Sequence, residues 1–283
     1  MLPNIYDAAT DKGLMRGNNE DCFLSQPERG LWLVADGMGG HDAGEVASDI
    51  VAKTIDKTTA QGDPLVDAIQ SAHESVLAAV KNGIGAKGMG STVVALLSDD
   101  RDYQISWVGD SRAYLWTRDD TGGTLEQLSR DHSYVQLLLA SGAIGEDEVE
   151  NHPDKNIITQ CIGSQDVGQV HVDSIKGQWQ EKQWILLCSD GLTDELNDKQ
   201  IAQILCNVNT VRDAVSTLIK QALRKGGRDN ITVQVIESPL NRPSLADKIW
   251  DWLPEIIGDR RLDGLLYGTA AACSLLLVYW ILT

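Results

Sequence analysis

The chain has 283 residues, enough for one large domain or two small ones, and 42 % apolar residues supply a core of ordinary size. A net charge of −17 at pH 7 makes the surface repel polyanions, so nucleic acid is set aside as a partner. Five cysteines, Cys22, Cys161, Cys188, Cys206 and Cys273, form no C-x-x-C pair, so they read as reduced, buried thiols rather than a zinc or disulfide framework.

In chain order, apolar alternation and short apolar runs predict strands over 6–10, 22–25, 31–35, 91–97, 103–108, 113–117, 125–128, 170–175, 184–188 and 231–236. Helical periodicity predicts helices over 43–58, 64–81, 134–140, 198–205 and 211–224. Asp63, Asn197 and Thr210 stand where N-caps belong, and Gly142 ends the helix near Ala140. Runs of strands interrupted by pairs of helices argue for α+β rather than a βαβ repeat. The stretch 146–166 is polar and weakly periodic and reads as a surface insertion.

The start of the chain lacks a basic segment followed by a long apolar run, so no signal peptide is expected. Two prolines in 238–243 mark a domain end. Residues 238–262 then read as a juxtamembrane linker. Ile249, Trp250, Trp252, Leu253, Ile256 and Ile257 lie among its charges, as in an amphipathic helix at a membrane interface or one docked on the globular domain. Residues 263–283 carry no charge from Gly264 to Leu282, about the length that crosses a bilayer. Lys248, Arg260 and Arg261 precede this run, and Trp250, Trp252, Tyr279 and Trp280 flank it. The expectation is a single-pass C-terminal anchor with the main domain in the cytoplasm. A buried terminal helix is the rival reading. Gly264, Gly268 and Ala272 form a small-residue stripe that permits homodimerisation through the tail.

One chemical pattern recurs. Acidic residues end apolar strands: Asp36 after LWLVA, Asp110 after ISWVG, Asp190 after WILLCS, while Asp229 precedes NITVQVI and Glu20 and Asp21 precede CFLS. Singly, each Asp-Gly or Asp-Asn reads as a turn. Together, carboxylates at the ends of adjacent buried strands repel one another unless cations neutralise them. All candidate ligands are oxygens, with no spaced His or Cys pair, which suits Mg²⁺ or Mn²⁺ rather than Zn²⁺. Arg16, in RGNNED, is the candidate phosphate clamp.

These stretches carry a resemblance. RGNNED at 16–21, VADGMGGH at 34–41, GMGST at 88–92, VGDSRAY at 108–114, DHS at 131–133, CSDGLTD at 188–194 and RDNITV at 228–233 are similar, in order, to the PPM family of metal-dependent Ser/Thr protein phosphatases (type 2C) in its compact bacterial form. The resemblance covers about residues 4–237, and the catalytic domain is taken as 1–237. It implies a central sandwich of two antiparallel sheets flanked by antiparallel helix pairs. It also implies two Mn²⁺ or Mg²⁺ ions, with Asp36 bridging them, the Gly37 carbonyl on one, and Asp190 and Asp229 completing the other site. Asp110, shared with Asp190, would supply a third site. Glu20 and Asp21 would hold water on the metals, and Arg16 the substrate phosphate. A hydroxide held between the ions would attack phosphorus in line, without a phosphoenzyme.

The leaving alkoxide needs a proton. His41 is the candidate acid, with water on a metal as its rival, since Met38 stands where many eukaryotic relatives have His. His132 in DHS reads as structural. Gln160 stands where relatives usually have an Arg that supports the core or the flap, the stretch 146–166, rather than binding metal, so this departure is expected to bear on stability more than on activity. The implied partners are proteins phosphorylated on Ser or Thr, and a cognate Ser/Thr kinase opposed at the membrane. Three alternatives stay open: a catalytically dead phosphoprotein-binding relative, a hydrolase of small phosphorylated metabolites, and a membrane scaffold.

Overall fold

The computed structural model describes residues 2–40, 43–149, 152–165 and 168–241. Residues 242–283, which hold most of the expected linker and the whole expected membrane span, lie outside the described residues, as does His41. Among the described residues no helix is long and apolar enough to cross a membrane.

Among the described residues eleven strands make two sheets with every pairing antiparallel. They are β1 Tyr6–Asp11, β2 Asp21–Gln26, β3 Leu31–Met38, β4 Gly90–Ser91, β5 Val93–Asp99, β6 Asp102–Val108, β7 Arg112–Thr117, β8 Thr124–Gln127, β9 Asp173–Gln178, β10 Gln183–Cys188 and β11 Ile231–Glu237. One sheet runs β1-β11-β10-β7-β8; the other runs β2-β3-β5-β6-β9, with β4 paired to β3. The helices are α1 Ala43–Ala60, α2 Leu65–Lys81, α3 Tyr134–Ala140, α4 Glu146–Val149, α5 Asp190–Thr193, α6 Asp198–Cys206 and α7 Val211–Lys225.

The apolar runs of β3, β5 and β10 are continuous because both faces of each strand are buried. Leu31, Leu33 and Ala35 point to a core shared with α1 and α2, whereas Trp32 and Val34 point between the sheets. In the other sheet Trp184, Leu186 and Cys188 meet α6 and α7, and Ile185 and Leu187 face inward. The layers are therefore helices, sheet, sheet, helices, as the resemblance implied. Tryptophan fills much of the middle: Trp32, Trp107 and Trp179 are all buried between the sheets.

The structure moves several local expectations. Asp36-Gly37 is no turn: β3 continues through both, because Gly37 pairs with Ser91 of β4. A Cβ on Gly37 would lie 2.1 Å from the Gly44 carbonyl oxygen, so glycine lets α1 pack onto the strand end. Asp190-Gly191 opens α5 instead of turning a hairpin. Asp63 caps nothing; the residue before α2 is Pro64, with no side-chain cap. Asn197 does cap, in a full capping box with Gln200, and Thr210 accepts from the Asp213 amide. The strand expected over 170–175 begins at Asp173, since Val170 is held by the Gln70 side chain at 3.2 Å instead. The stretch 146–166 is not wholly superficial, because Ile162 is fully buried and bridges Ser91. Cys188 is buried, Cys22 and Cys161 are half-buried, and Cys206 is exposed rather than buried.

Candidate active site

Strand register puts the first two carboxylates face to face. Asp21 sits directly opposite Asp36 across the β2–β3 ladder, as Phe23 sits opposite Val34. Side chains alternate along a strand, so Asp36 follows Trp32 and Val34 toward the space between the sheets. Like charges directly opposed in a sheet are destabilising. Here they are also buried. The Asp36 carboxyl is held well above the usual carboxylate range, by burial first and then by Asp21, Asp190 and Asp110. Burial pushes Asp21 up to about 7, against two hydroxyls that favour its anion. Thr232 Oγ1 donates to Asp21 Oδ2 at 2.6 Å and Ser189 Oγ at 2.8 Å.

The second sheet delivers Asp190 and Asp229. Asp190 follows β10 and opens α5, while Asp229 precedes β11. Gly191 allows the two chain segments to meet: a Cβ there would lie 1.9 Å from the Asn230 carbonyl oxygen. Burial, then Asp194 and Asp229, pushes Asp190 up to about 6. Asp110, at the bend after β6, is raised well above the usual range by burial and then by Asp190 and Asp131.

Arg16 lies on the loop between β1 and β2. Its Nη2 donates to Asp229 Oδ2 at 2.5 Å, and its side chain is half exposed. Asn230 fixes that loop. Its Nδ2 donates to the carbonyls of Lys12 and Asn18, each at 2.9 Å, and its Oδ1 accepts from the Glu20 amide at 2.7 Å. Ser48 Oγ donates to the Glu20 carbonyl at 2.6 Å, tying the loop to α1.

An open cleft of about 530 Å³ brings together Arg16, Glu20, Asp36, Gly37, Asp110, Asp190 and Asp229. Asp21 does not line it, and stands beneath, paired with Asp36 on β2. Sequence reading gave no role to Thr92, Asn156, Ile158 and Asn230, which also line the cleft. Thr92 Oγ1 accepts from the Asp36 amide at 3.1 Å and shares a 2.7 Å hydrogen bond with Ser111 Oγ. Thr92 and Asn230 stand inside GMGST and RDNITV, which was the signal available. Asn156 and Ile158 had no local signal. No histidine lines the cleft among the described residues. His132 accepts at Nδ1 from the Gly109 amide at 3.1 Å, and its Nε2 is 3.1 Å from Asp173 Oδ2. It therefore orients the bend that presents Asp110. Gln160 Oε1 accepts from the His171 amide at 3.1 Å, tying the flap to the segment that leads into β9.

The donor set fits hard divalent cations. Asp21 Oδ1 and Asp190 Oδ1 are buried without a hydrogen-bond partner, and an oxygen so placed calls for a proton or a cation. Among the described residues no three acidic, His or Cys side chains close around a single point. Carboxylate and backbone carbonyl oxygens are the donors that Mg²⁺ and Mn²⁺ take.

Comparison with known proteins agrees with this geometry. The protein phosphatase 2C family profile matches residues 16–226. The chain belongs to that family. It is similar to the serine/threonine phosphatase stp of Listeria innocua, 34% identical over 244 residues, covering 82% of this chain and 94% of that one. Its fold is similar to that of the Mycobacterium tuberculosis serine/threonine phosphatase PstP/Ppp, with TM-score 0.74, 34% identity and coverage of 82% and 97%. The catalytic domain of PstP in complex with two manganese ions matches with TM-score 0.70, 33% identity and coverage of 82% and 96%. The two-sheet fold implied by the resemblance is thus that of the phosphatase 2C neighbours. In this type 2C chain, the buried carboxylates and the exposed arginine occupy one cleft.

Proposed function

We propose that the chain hydrolyses phosphoserine and phosphothreonine in proteins, with Mn²⁺ or Mg²⁺ as cofactor. The observation that carries this reading is a cleft whose buried, mutually repelling carboxylates face solvent beside one arginine. Asp36, Asp190 and Asp229, with the Gly37 carbonyl, would hold two ions, and Asp110 with Asp190 a third. When bound, such ions neutralise charge and acidify water for attack on phosphorus.

The chain's own residues do the rest. Arg16 leaves Asp229 and forks onto the phosphate oxygens, where its fixed donors oppose the charge of the transition state. Asn230 keeps Arg16 and Glu20 in register with Asp229. Ser189 and Thr232 hold the Asp21 carboxylate beneath Asp36, and Glu20 and Asp21 would hold water on the ions. His41 is the candidate proton donor to the leaving alkoxide, and lies outside the described residues. Preference among phosphoserine, phosphothreonine and phosphotyrosine is checked by phosphate release from three otherwise identical peptides. Release from the first two with Mn²⁺, and little from the third, is the expected result. Turnover only on small phosphorylated metabolites would reject the reading.

The membrane part rests on the uncharged run 264–282. Anchoring there would confine the phosphatase with membrane-bound kinases and their targets and raise its effective concentration toward them. Removing 264–283 should release the protein from the membrane fraction; an unchanged distribution would reject the anchor.

A further inference from the structure

The two most exposed large apolar side chains among the described residues are neighbours, and they stand directly before Arg16. Leu14 is 66% and Met15 is 74% exposed. A single exposed apolar side chain is ordinary on a protein surface. A consecutive pair displayed on a fixed backbone beside a cleft is a different case, because the loop has no freedom to fold them away.

That backbone is fixed from several sides. The Gly13 amide donates to Asp11 Oδ1 at 2.8 Å, and the Leu14 amide donates to the Gly227 carbonyl at 2.7 Å. Asn230 holds the carbonyls of Lys12 and Asn18 on either side of the pair. Gly13 has a φ of +75°, and a Cβ there would lie 2.1 Å from the Asp229 carbonyl oxygen. The loop therefore lies flush on the segment that carries Asp229. Leu14 rests its base on the same segment: its Cγ would lie 3.2 Å from a Cβ on Gly227.

What covers the pair follows from where it stands. In the reading above Arg16 meets the substrate phosphate. Successive Cα atoms are about 3.8 Å apart in enzyme and substrate alike, so a peptide whose phosphoresidue is at Arg16 carries its adjoining residues over Leu14 and Met15. Lys12 and Arg16, both exposed, repel a cationic side chain there, and the pair itself offers neither charge nor a hydrogen-bond donor. The chemistry that fits is apolar, and the flexible Met15 thioether adapts to side chains of differing shape.

We propose that Leu14 and Met15 form an apolar platform that takes an apolar side chain within two residues of the phosphoresidue. The inference rests on the phosphoprotein reading of the same cleft. It makes Met15 a specificity-determining residue, and it gives a peptide a contact that a small phosphorylated metabolite lacks.

The test uses the full chain in detergent with saturating Mn²⁺. Its probes are phosphothreonine peptides with Gly at the two positions on each side, and the same peptides with one Leu at each of those four positions in turn. The quantity read is the kcat/KM of the best Leu peptide divided by that of the all-Gly peptide. Wild type should give about tenfold, the yield of burying roughly half a Leu side chain. The gain should appear in KM with kcat level, since the contact is made equally before and during reaction. Met15→Ser should cut the ratio to about threefold, and Leu14→Ser with Met15→Ser should bring it to about one, while Met15→Leu should keep it. A wild-type ratio near one at every position, or a wild-type ratio retained by the double variant, overturns the platform. A double variant that keeps the ratio but loses self-association in sedimentation assigns the pair to a contact between copies, and overturns it too. In each of these cases turnover of the all-Gly peptide leaves the phosphatase reading standing. Failure of wild type to release phosphate from any peptide overturns both.

Discussion

Removing divalent ions should leave a protein whose stability falls as pH rises, and the size of the fall can be worked from one residue. Asp21 titrates near 7 in the fold, chiefly through burial, against a usual value of 3.8. A raised carboxyl binds its proton more tightly folded than unfolded. Below the unfolded value both states are protonated and the group contributes nothing. Between 3.8 and about 7 the unfolded state gives up its proton and the folded state does not, so stability drops with each pH step. The drop saturates above about 7, at roughly 4 kcal/mol, of which about 2–3 accrues between pH 5 and 7.5. Asp190, near 6 in the fold, acts in the same direction over a lower window, and Asp36 and Asp110 shift the same way. These groups interact, so their contributions do not simply add. The assay is urea unfolding of the EDTA-treated protein from about pH 5 to 7.5, repeated with saturating Mn²⁺. The midpoint should fall with pH after chelation and hold steady with Mn²⁺, and Asp21→Asn should flatten the chelated curve. A chelated protein whose stability rises or stays level over that range would refute the reasoning.

Further perturbations follow from the same geometry. Arg16→Ala should lower kcat/KM on a phosphothreonine peptide by about 10²–10³-fold, the scale for losing one preorganised donor, with Mn²⁺ binding by calorimetry largely retained. Asn230→Ala removes three hydrogen bonds from a residue 5% exposed and should destabilise by about 2–4 kcal/mol, at the ordinary net worth of each bond. Thermal unfolding reads that loss, and activity should fall with it because the loop carrying Arg16 and Glu20 loses its anchor.

Much of the scaffold was legible because its central strands β3, β5, β10 and β11 are buried on both faces and so appear as nearly unbroken apolar runs between Gly and Asp punctuation. The acids at their ends were legible for the same reason: a carboxylate closing an apolar run is anomalous. What sequence reading misplaced was the local form. Asp36-Gly37 looked like a turn because its pairing partner, β4, is two residues long and has no periodicity of its own. Helix α5 spans four residues, too few to show a helical repeat. Asn230 sits in a visible motif, yet its partners Lys12, Asn18 and Glu20 lie more than two hundred residues away in sequence, so its clamping role needed the fold. The flap residues Lys155 and Asn156 are polar side chains in a polar stretch. Only the fold shows that both donate to Asp194.

The central claim is that clustered carboxylates hold ions that make this cleft a phosphatase. The most direct test is phosphate release from a phosphothreonine peptide by wild type, Asp36→Asn and Asp190→Asn, each with Mn²⁺ and with EDTA, alongside Mn²⁺ binding isotherms. The account predicts turnover by wild type with Mn²⁺, its loss on chelation, loss in both variants with Mn²⁺, and weakened binding in each. Turnover that survives EDTA, or that persists in Asp36→Asn with Mn²⁺ binding unchanged, would contradict it.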